Sequence, residues 1–244
     1  MTQVSPVHLL AFGPHPDDIE IGMAGTVAKH TWLGYEAGLC DLTSGELGSN
    51  GTPDVRLAEG EAAREVLGAA WRINLGLPDG NLSDTEDHVR AIVDVVRRCR
   101  PRVIAVPPGT DRHPDHVAAH RLLLSAVFKA GLRRYVTPDE PWQAEWICSY
   151  FINDQVPASF VVDVSGVYEV KRRALACHAS QFEPPACDAA STRLTSPLFR
   201  QLVESRDAQF GAQAGVEFAE GFVVREPVLR PLLLDRWPVA SPCP

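Results

Sequence analysis

Short apolar runs alternate with longer stretches that read as helices through the first half of the chain. Residues 7–12 are the first run and predict a buried strand. A polar, acidic stretch follows, then a helix over 22–33. Ala24, Gly25 and Ala28 would let that helix pack close to a sheet, and Gly34 is placed to end it. Residues 37–42 predict a second strand, 43–53 a polar loop containing glycine, and 54–67 a helix with Asp54 as its N-cap. A third strand is expected over 71–75, a turn at Pro78-Asp79-Gly80-Asn81, and a helix over 85–99. Residues 102–106 predict the fourth strand. Pro114 fits the first turn of the next helix, which has His113 at its cap, runs to Ala130 and ends at Gly131.

Such alternation argues for right-handed βαβ units on a parallel sheet. The expected class is α/β: a Rossmann-like, three-layer α/β/α arrangement. Its mostly parallel sheet would have order 3-2-1-4-5, with further strands from the C-terminal half. Beyond Gly131 the pattern loosens. Strands are expected over 145–152 and 159–164, and helices over 167–178 and 197–210. Pro184-Pro185 reads as loop and 227–244 as an arm, proline-rich from Trp237 and extended from about residue 231. The 244 residues suffice for one core, and a single domain over 1–244 is expected.

Composition narrows the function. The formal charge of −8 argues against a nucleic-acid surface, which would want a basic stripe. No apolar run approaches the roughly 20 residues of a membrane helix, and no secretory signal is visible. Six cysteines are scattered without a Cys-x-x-Cys, which fits reduced thiols in a cytoplasmic protein.

The chemistry is concentrated in two stretches. Gly13-Pro14-His15-Pro16-Asp17-Asp18-Ile19-Glu20 follows the first strand, and Asp111-Arg112-His113-Pro114-Asp115-His116 stands in the same relation to the fourth. Charge packed just after a buried strand is expensive unless paired or metal-bound. With strands 1 and 4 as neighbours, both stretches flank the crevice where strand order reverses. His15, Asp18 and His116 then supply two imidazoles and a carboxylate, the three-ligand pattern of catalytic zinc, which keeps one position open. Water on such a zinc has a pKa lowered to about 7. Asp17 is left as general base. His113 is left as cation or proton donor for the oxyanion and leaving group, with Asp115 hydrogen-bonding its ring. The implied reaction is metal-assisted hydrolysis of an amide or ester.

Blander readings stand beside this one. Asp17-Asp18 could be only a helix N-cap, and His113 only a cap. His116 and His120, one turn apart, could hold a metal by themselves, though His15 and Asp18 would then lack a purpose. A non-catalytic sugar- or metal-binding module is the second class, and an uncoordinated acid at Asp17 counts against it. A dinucleotide-binding protein is excluded: no Gly-x-Gly-x-x-Gly follows the first strand, and the acids there would repel a pyrophosphate.

His15-Pro16-Asp17-Asp18-x-Glu20 and His113-Pro114-Asp115-His116 resemble the two signatures of the PIG-L/LmbE-like zinc-dependent N-acetylglucosamine deacetylases. Gly45-Glu46-Leu47, Ser49-Asn50-Gly51-Thr52, Arg56, Ser180-Gln181-Phe182 and Ala219-Glu220-Gly221-Phe222 extend the resemblance toward the bacillithiol-biosynthesis (BshB-type) branch. That branch removes acetate from N-acetylglucosaminyl-malate. The resemblance assigns metal to His15, Asp18 and His116, choosing His116 over His120. It makes Asp17 the base and His113, partnered by Asp115, the oxyanion or leaving-group residue. It implies Zn2+, with Fe2+ as an alternative in the cell, and a homo-oligomer, with a hexamer among the forms expected. Rival substrates within the class are an inositol conjugate or a chito-oligosaccharide. An anionic substrate on an acidic protein needs local cations. Arg56 is the first expected anchor for malate carboxylates and Arg112 the second, with Asn50 and Glu46 at sugar hydroxyls. Where mycothiol-pathway relatives carry a tyrosine, this chain has Asp111, so no tyrosine contact to the oxyanion carries over.

Overall fold

The structure, a computed structural model, describes residues 4–183, 190–227 and 229. The expected loop at Pro184-Pro185 and the extended tail from about 231 lie outside the described residues. Among those described, seven strands form one sheet: β1 (Leu9–Gly13), β2 (Ala37–Asp41), β3 (Trp71–Asn74), β4 (Val103–Val106), β5 (Trp146–Tyr150), β6 (Phe160–Asp163) and β7 (Ala219–Val223). Their order is β3-β2-β1-β4-β5-β7-β6. The first five pair in parallel, and β7 joins β5 and β6 antiparallel. The order expected for strands 1 to 5 is the one observed.

The helices are α1 (Asp18–Trp32), α2 (Pro53–Leu67), α3 (Glu86–Cys99), α4 (Pro114–Ala130), α5 (Tyr168–Ala176), the single turn α6 (Ala179–Phe182) and α7 (Pro197–Ala214). Alternate side chains of the buried strands feed two cores, as a pleated strand requires. Leu10 and Phe12 pack with Val89, Ile92, Val96, Leu122 and Leu123 of α3 and α4. Leu9 and Ala11 pack with Ile19, Ile21, Val27, Phe199 and Val203 of α1 and α7. Among the described residues no helix is long and apolar enough to cross a membrane.

Local chemistry moved several boundaries. Thr52, not Asp54, caps α2: its hydroxyl accepts from the Val55 amide, and Pro53 takes the first helical position. The expected helix over 167–178 is α5, which ends at Ala176; the turn α6 follows beyond it, and α7 runs past residue 210 to Ala214. α1 begins at Asp18, four residues before the expected start, so the acidic stretch ends as a helical first turn, Asp18-Ile19-Glu20.

That turn is set at a defined angle by a break at Met23, where φ is −151° and ψ is 22°. A break frees backbone groups that must find partners. Glu220 of β7 takes the amides of Gly25 and Thr26 at 3.0 and 2.6 Å, and Arg206 of α7 donates to the Ile21 carbonyl at 2.7 Å. Lys171 balances the buried acids, lying 2.7 Å from Glu220 and 2.7 Å from Asp207. Gly22 lets β5 approach, because a Cβ there would fall 2.1 Å from the Tyr150 ring. Tyr150 in turn donates to the Phe12 carbonyl at 2.7 Å, tying β5 to the end of β1.

Candidate metal centre and active site

β1 and β4 are adjacent and parallel, so the loops at their carboxyl ends meet. The first loop delivers His15 and Asp17, and Asp18 is the first residue of α1. The second delivers Asp111 and His113, with Asp115 and His116 in the first turn of α4. Asp18 sits between the two imidazoles: its Oδ2 lies 3.0 Å from His15 Nδ1 and 3.4 Å from His116 Nε2. The donor atoms of His15, Asp18 and His116 all lie within 4.8 Å of one another, and all three residues are buried. His120 stands apart, with Nδ1 3.0 Å from the Pro107 carbonyl oxygen.

Asp79, read from the sequence only as a turn, also reaches the centre: its Oδ1 is 3.0 Å from His15 Nε2. It arrives from the loop after β3, on the same sheet edge, and that position was the available signal. Asp111 was the other omission. It lies within the acidic stretch and approaches His116 Nδ1 at 3.1 Å.

Five carboxylates (Asp17, Asp18, Asp79, Asp111, Asp115) face three imidazoles and the guanidinium of Arg56. The excess of negative charge shows in the imidazoles. Burial alone would lower the His15 pKa, yet Asp115, Asp18 and Asp79 raise it well above the usual value. Burial also lowers His116, and Asp18 with Asp111 more than reverses this, to about 9. Asp18 is driven well below the usual carboxylate range, its burial outweighed by His116 and His15. A site that holds protons on two imidazoles in this way is built for positive charge, and a divalent cation displaces such protons when it binds. The donor set therefore fits a metal with one carboxylate and two imidazole ligands.

Asp17 stands at the N-cap position with φ of 128°, a region costly for a side-chain-bearing residue, yet its side chain makes no cap hydrogen bond. The capping reading of Asp17 therefore fails. One carboxylate oxygen is 3.5 Å from Arg56 Nη2, and the other is buried with no partner among the described residues. Burial pushes the carboxyl up to about 6, against the downward pull of Arg56.

Three of the expected site residues have partners other than those the sequence suggested. Arg56 is buried rather than free: Nη1 donates to the Gly45 carbonyl at 3.2 Å, Nη2 to Pro16 at 2.9 Å, and the charge is spent on Asp17. Asn50 is committed as well, its amide donating to the Ala190 carbonyl and accepting from the Ala190 N–H. Asp115 does not hold the His113 ring through its carboxylate. His113 caps α4, and its Nδ1 accepts the Asp115 backbone N–H at 3.2 Å. The Asp115 carboxylate instead takes the Gly80 amide at 2.7 Å and faces His15 at 3.4 Å. Burial, and then the neighbouring imidazoles, lower the His113 pKa. Glu46 is exposed, with one oxygen on the Asp79 amide, and Arg112 is exposed in the second loop.

Comparison with known proteins gives a consistent set. The PIG-L family model, described as GlcNAc-PI de-N-acetylase, matches residues 10–127. A diacetylchitobiose deacetylase of Thermococcus kodakarensis is 30% identical over 228 residues, spanning 87% of this chain and 81% of that protein. A 1D-myo-inositol 2-acetamido-2-deoxy-alpha-D-glucopyranoside deacetylase of Rhodococcus opacus is 28% identical, spanning 73% of this chain and 82% of that one. The crystal structure of a conserved protein from Thermus thermophilus superposes with a TM-score of 0.85 at 37% identity, covering 95% of this chain and 100% of the other.

Proposed function

Because the chain belongs to the PIG-L family of GlcNAc-PI de-N-acetylases, we propose that it hydrolyses the acetamide of a small N-acetylglucosaminide, releasing acetate and a free amine. The observation that carries this reading is the buried His15, Asp18, His116 set with an unpaired Asp17 oxygen beside it. His15, Asp18 and His116 would hold the cation, zinc in the first instance, with iron(II) acceptable to the same ligands. Bound there, the metal supplies polarisation of the acetamide carbonyl and hydroxide near neutral pH.

The protein's own groups do the rest. Asp17 takes the proton of the attacking water. A carboxyl held at about 6 is ionised at neutral pH yet basic enough to accept it. The same group then returns the proton to the departing amine. His113 accepts the Asp115 amide at Nδ1, so its ring proton sits on Nε2. A depressed pKa keeps that ring neutral, and the Nε2–H donates to the carbonyl oxygen as negative charge develops. Hydrogen-bond donation thus replaces the cationic and leaving-group roles expected of His113.

For the aglycone, the malate conjugate is the first candidate, with Arg112, exposed in the catalytic loop, as the cation for its carboxylates. An inositol conjugate and a chito-oligosaccharide are the rivals, supported by relatives named as deacetylases of diacetylchitobiose and of an inositol glucosaminide. Acetate release from all three substrates, before and after chelation and zinc return, tests the reading. The expected result is zinc-restored turnover with the malate conjugate fastest and a malate preference lost in Arg112→Ala. Turnover that survives complete chelation contradicts the mechanism. A faster inositol or chitobiose conjugate transfers the substrate assignment.

A further inference from the structure

Asp111 has a carboxyl group fully shielded from solvent, and four groups converge on it. Oδ1 accepts the His113 amide at 2.8 Å and the Asn153 side-chain amide at 3.0 Å. Oδ2 accepts the Asn153 backbone N–H at 2.9 Å. The fourth group is His116, whose Nδ1 stands 3.1 Å from Oδ1, off the line of a straight hydrogen bond. Asn153 is anchored further out, its side-chain oxygen accepting from Arg193 at 3.0 Å. Arg193, Asn153, Asp111 and His116 thus form one chain, drawn from three separate segments.

The two nitrogens of His116 have different neighbours. Nε2 faces Asp18 and so belongs to the donor set. Nδ1 faces Asp111. An imidazole that binds a cation through one nitrogen carries its proton on the other, and a carboxylate accepting that proton fixes the tautomer, orients the ring and makes the ligand more basic. A carboxylate needed only to brace the loop would be served by the two backbone amides. Asp111 has those and is also turned onto the ring.

We infer that Asp111 is a positioning residue for the metal, acting through His116, and that Asn153 and Arg193 hold it in place. The inference rests on the reading of His15, Asp18 and His116 as a metal site. It makes cation affinity depend on the residues after β5 and before α7, neither of which contributes a ligand.

The test is Zn2+ affinity of the full apo chain, measured by competition with a chromophoric chelator, for wild type, Asp111→Ala, Asp111→Asn and Asn153→Ala. Asp111→Ala is expected to weaken zinc binding about 10- to 100-fold. Asp111→Asn, which keeps an acceptor oxygen, should fall near the lower end, and Asn153→Ala should weaken it less. Circular dichroism of the apo variants separates folding from affinity. A folded Asp111→Ala that binds zinc as tightly as wild type overturns the inference. If the alanine variant does not fold, wild-type affinity in Asp111→Asn does the same. A wild type that takes up no zinc overturns the metal-site reading itself, whereas tight wild-type binding matched by the variants removes only the role of Asp111.

Discussion

The Glu220 carboxylate accepts the backbone N–H of Thr26 at 2.6 Å, across 194 residues of sequence. With Gly25 it closes the break that Met23 opens in α1, and so fixes the helical turn that starts at Asp18. Glu220→Ala would orphan two buried amides and leave Lys171 with Asp207 alone. Breaking a buried pair of this kind costs about 3–5 kcal/mol. Urea unfolding should show that loss, and a smaller one for Glu220→Gln, which keeps an acceptor. An unchanged midpoint for the alanine variant would remove the capping role.

Asp17 combines a strained backbone, a buried carboxyl and an oxygen with no partner among the described residues. Asparagine tolerates positive φ and carries no charge to bury. Asp17→Asn should therefore melt at or above the wild-type temperature while kcat falls by about 10²- to 10⁴-fold. Melting curves and initial rates on one preparation check this. A variant that keeps its rate rules out Asp17 as the base.

Arg56 pulls the Asp17 carboxyl down against burial. Removing its charge lets burial act unopposed, so the Asp17 pKa rises. Because the base must be ionised, the acid limb of kcat/KM should move to higher pH in Arg56→Met, by about one unit or more. The shift should be equal for malate and inositol conjugates. A KM increase confined to the malate conjugate would instead restore Arg56 as a substrate anchor.

Glu20 gives the fold an acid-sensitive element. Burial raises its carboxyl, but Arg72 at 2.6 Å and then His178 outweigh this and bring it to about 2 from 4.5. The folded value lies below the unfolded one, so the stabilisation is complete above about pH 4.5 and is lost as pH falls toward 2. It amounts to roughly 3 kcal/mol. Asp41 shares Arg72, yet its burial wins and its pKa is raised, so it contributes with the opposite sign. Comparing wild type with Glu20→Gln isolates Glu20. Thermal melts should lose stability less steeply between pH 4.5 and 3 in the variant, and parallel curves would contradict the assignment.

The cluster of His15, Asp18 and His116 was legible because each chemical stretch follows a short apolar run, and the βαβ pattern makes strands 1 and 4 neighbours. The partner each side chain chooses was not. Arg56 read as a substrate anchor, but the Gly45 turn and Asp17 draw it inward. Asp79 looked like turn chemistry because Pro78 and Gly80 flank it. β7 was not read as a strand because its sequence, Ala-Glu-Gly-Phe-Val, puts a buried acid and a glycine where alternating apolar residues are expected. Glu220 is there to serve α1, a tertiary demand that local pattern does not record. The start of α1 was misplaced for the same reason: its first turn carries the acids of the site.

The most direct measurement is anomalous diffraction at the zinc edge from crystals of the zinc-loaded protein. The expected result is one strong peak about 2.0–2.2 Å from a nitrogen of His15, an oxygen of Asp18 and Nε2 of His116. No peak there, or a peak held by His113 and Asp115 in place of Asp18 and His116, would contradict a centre built from the loops after β1 and β4.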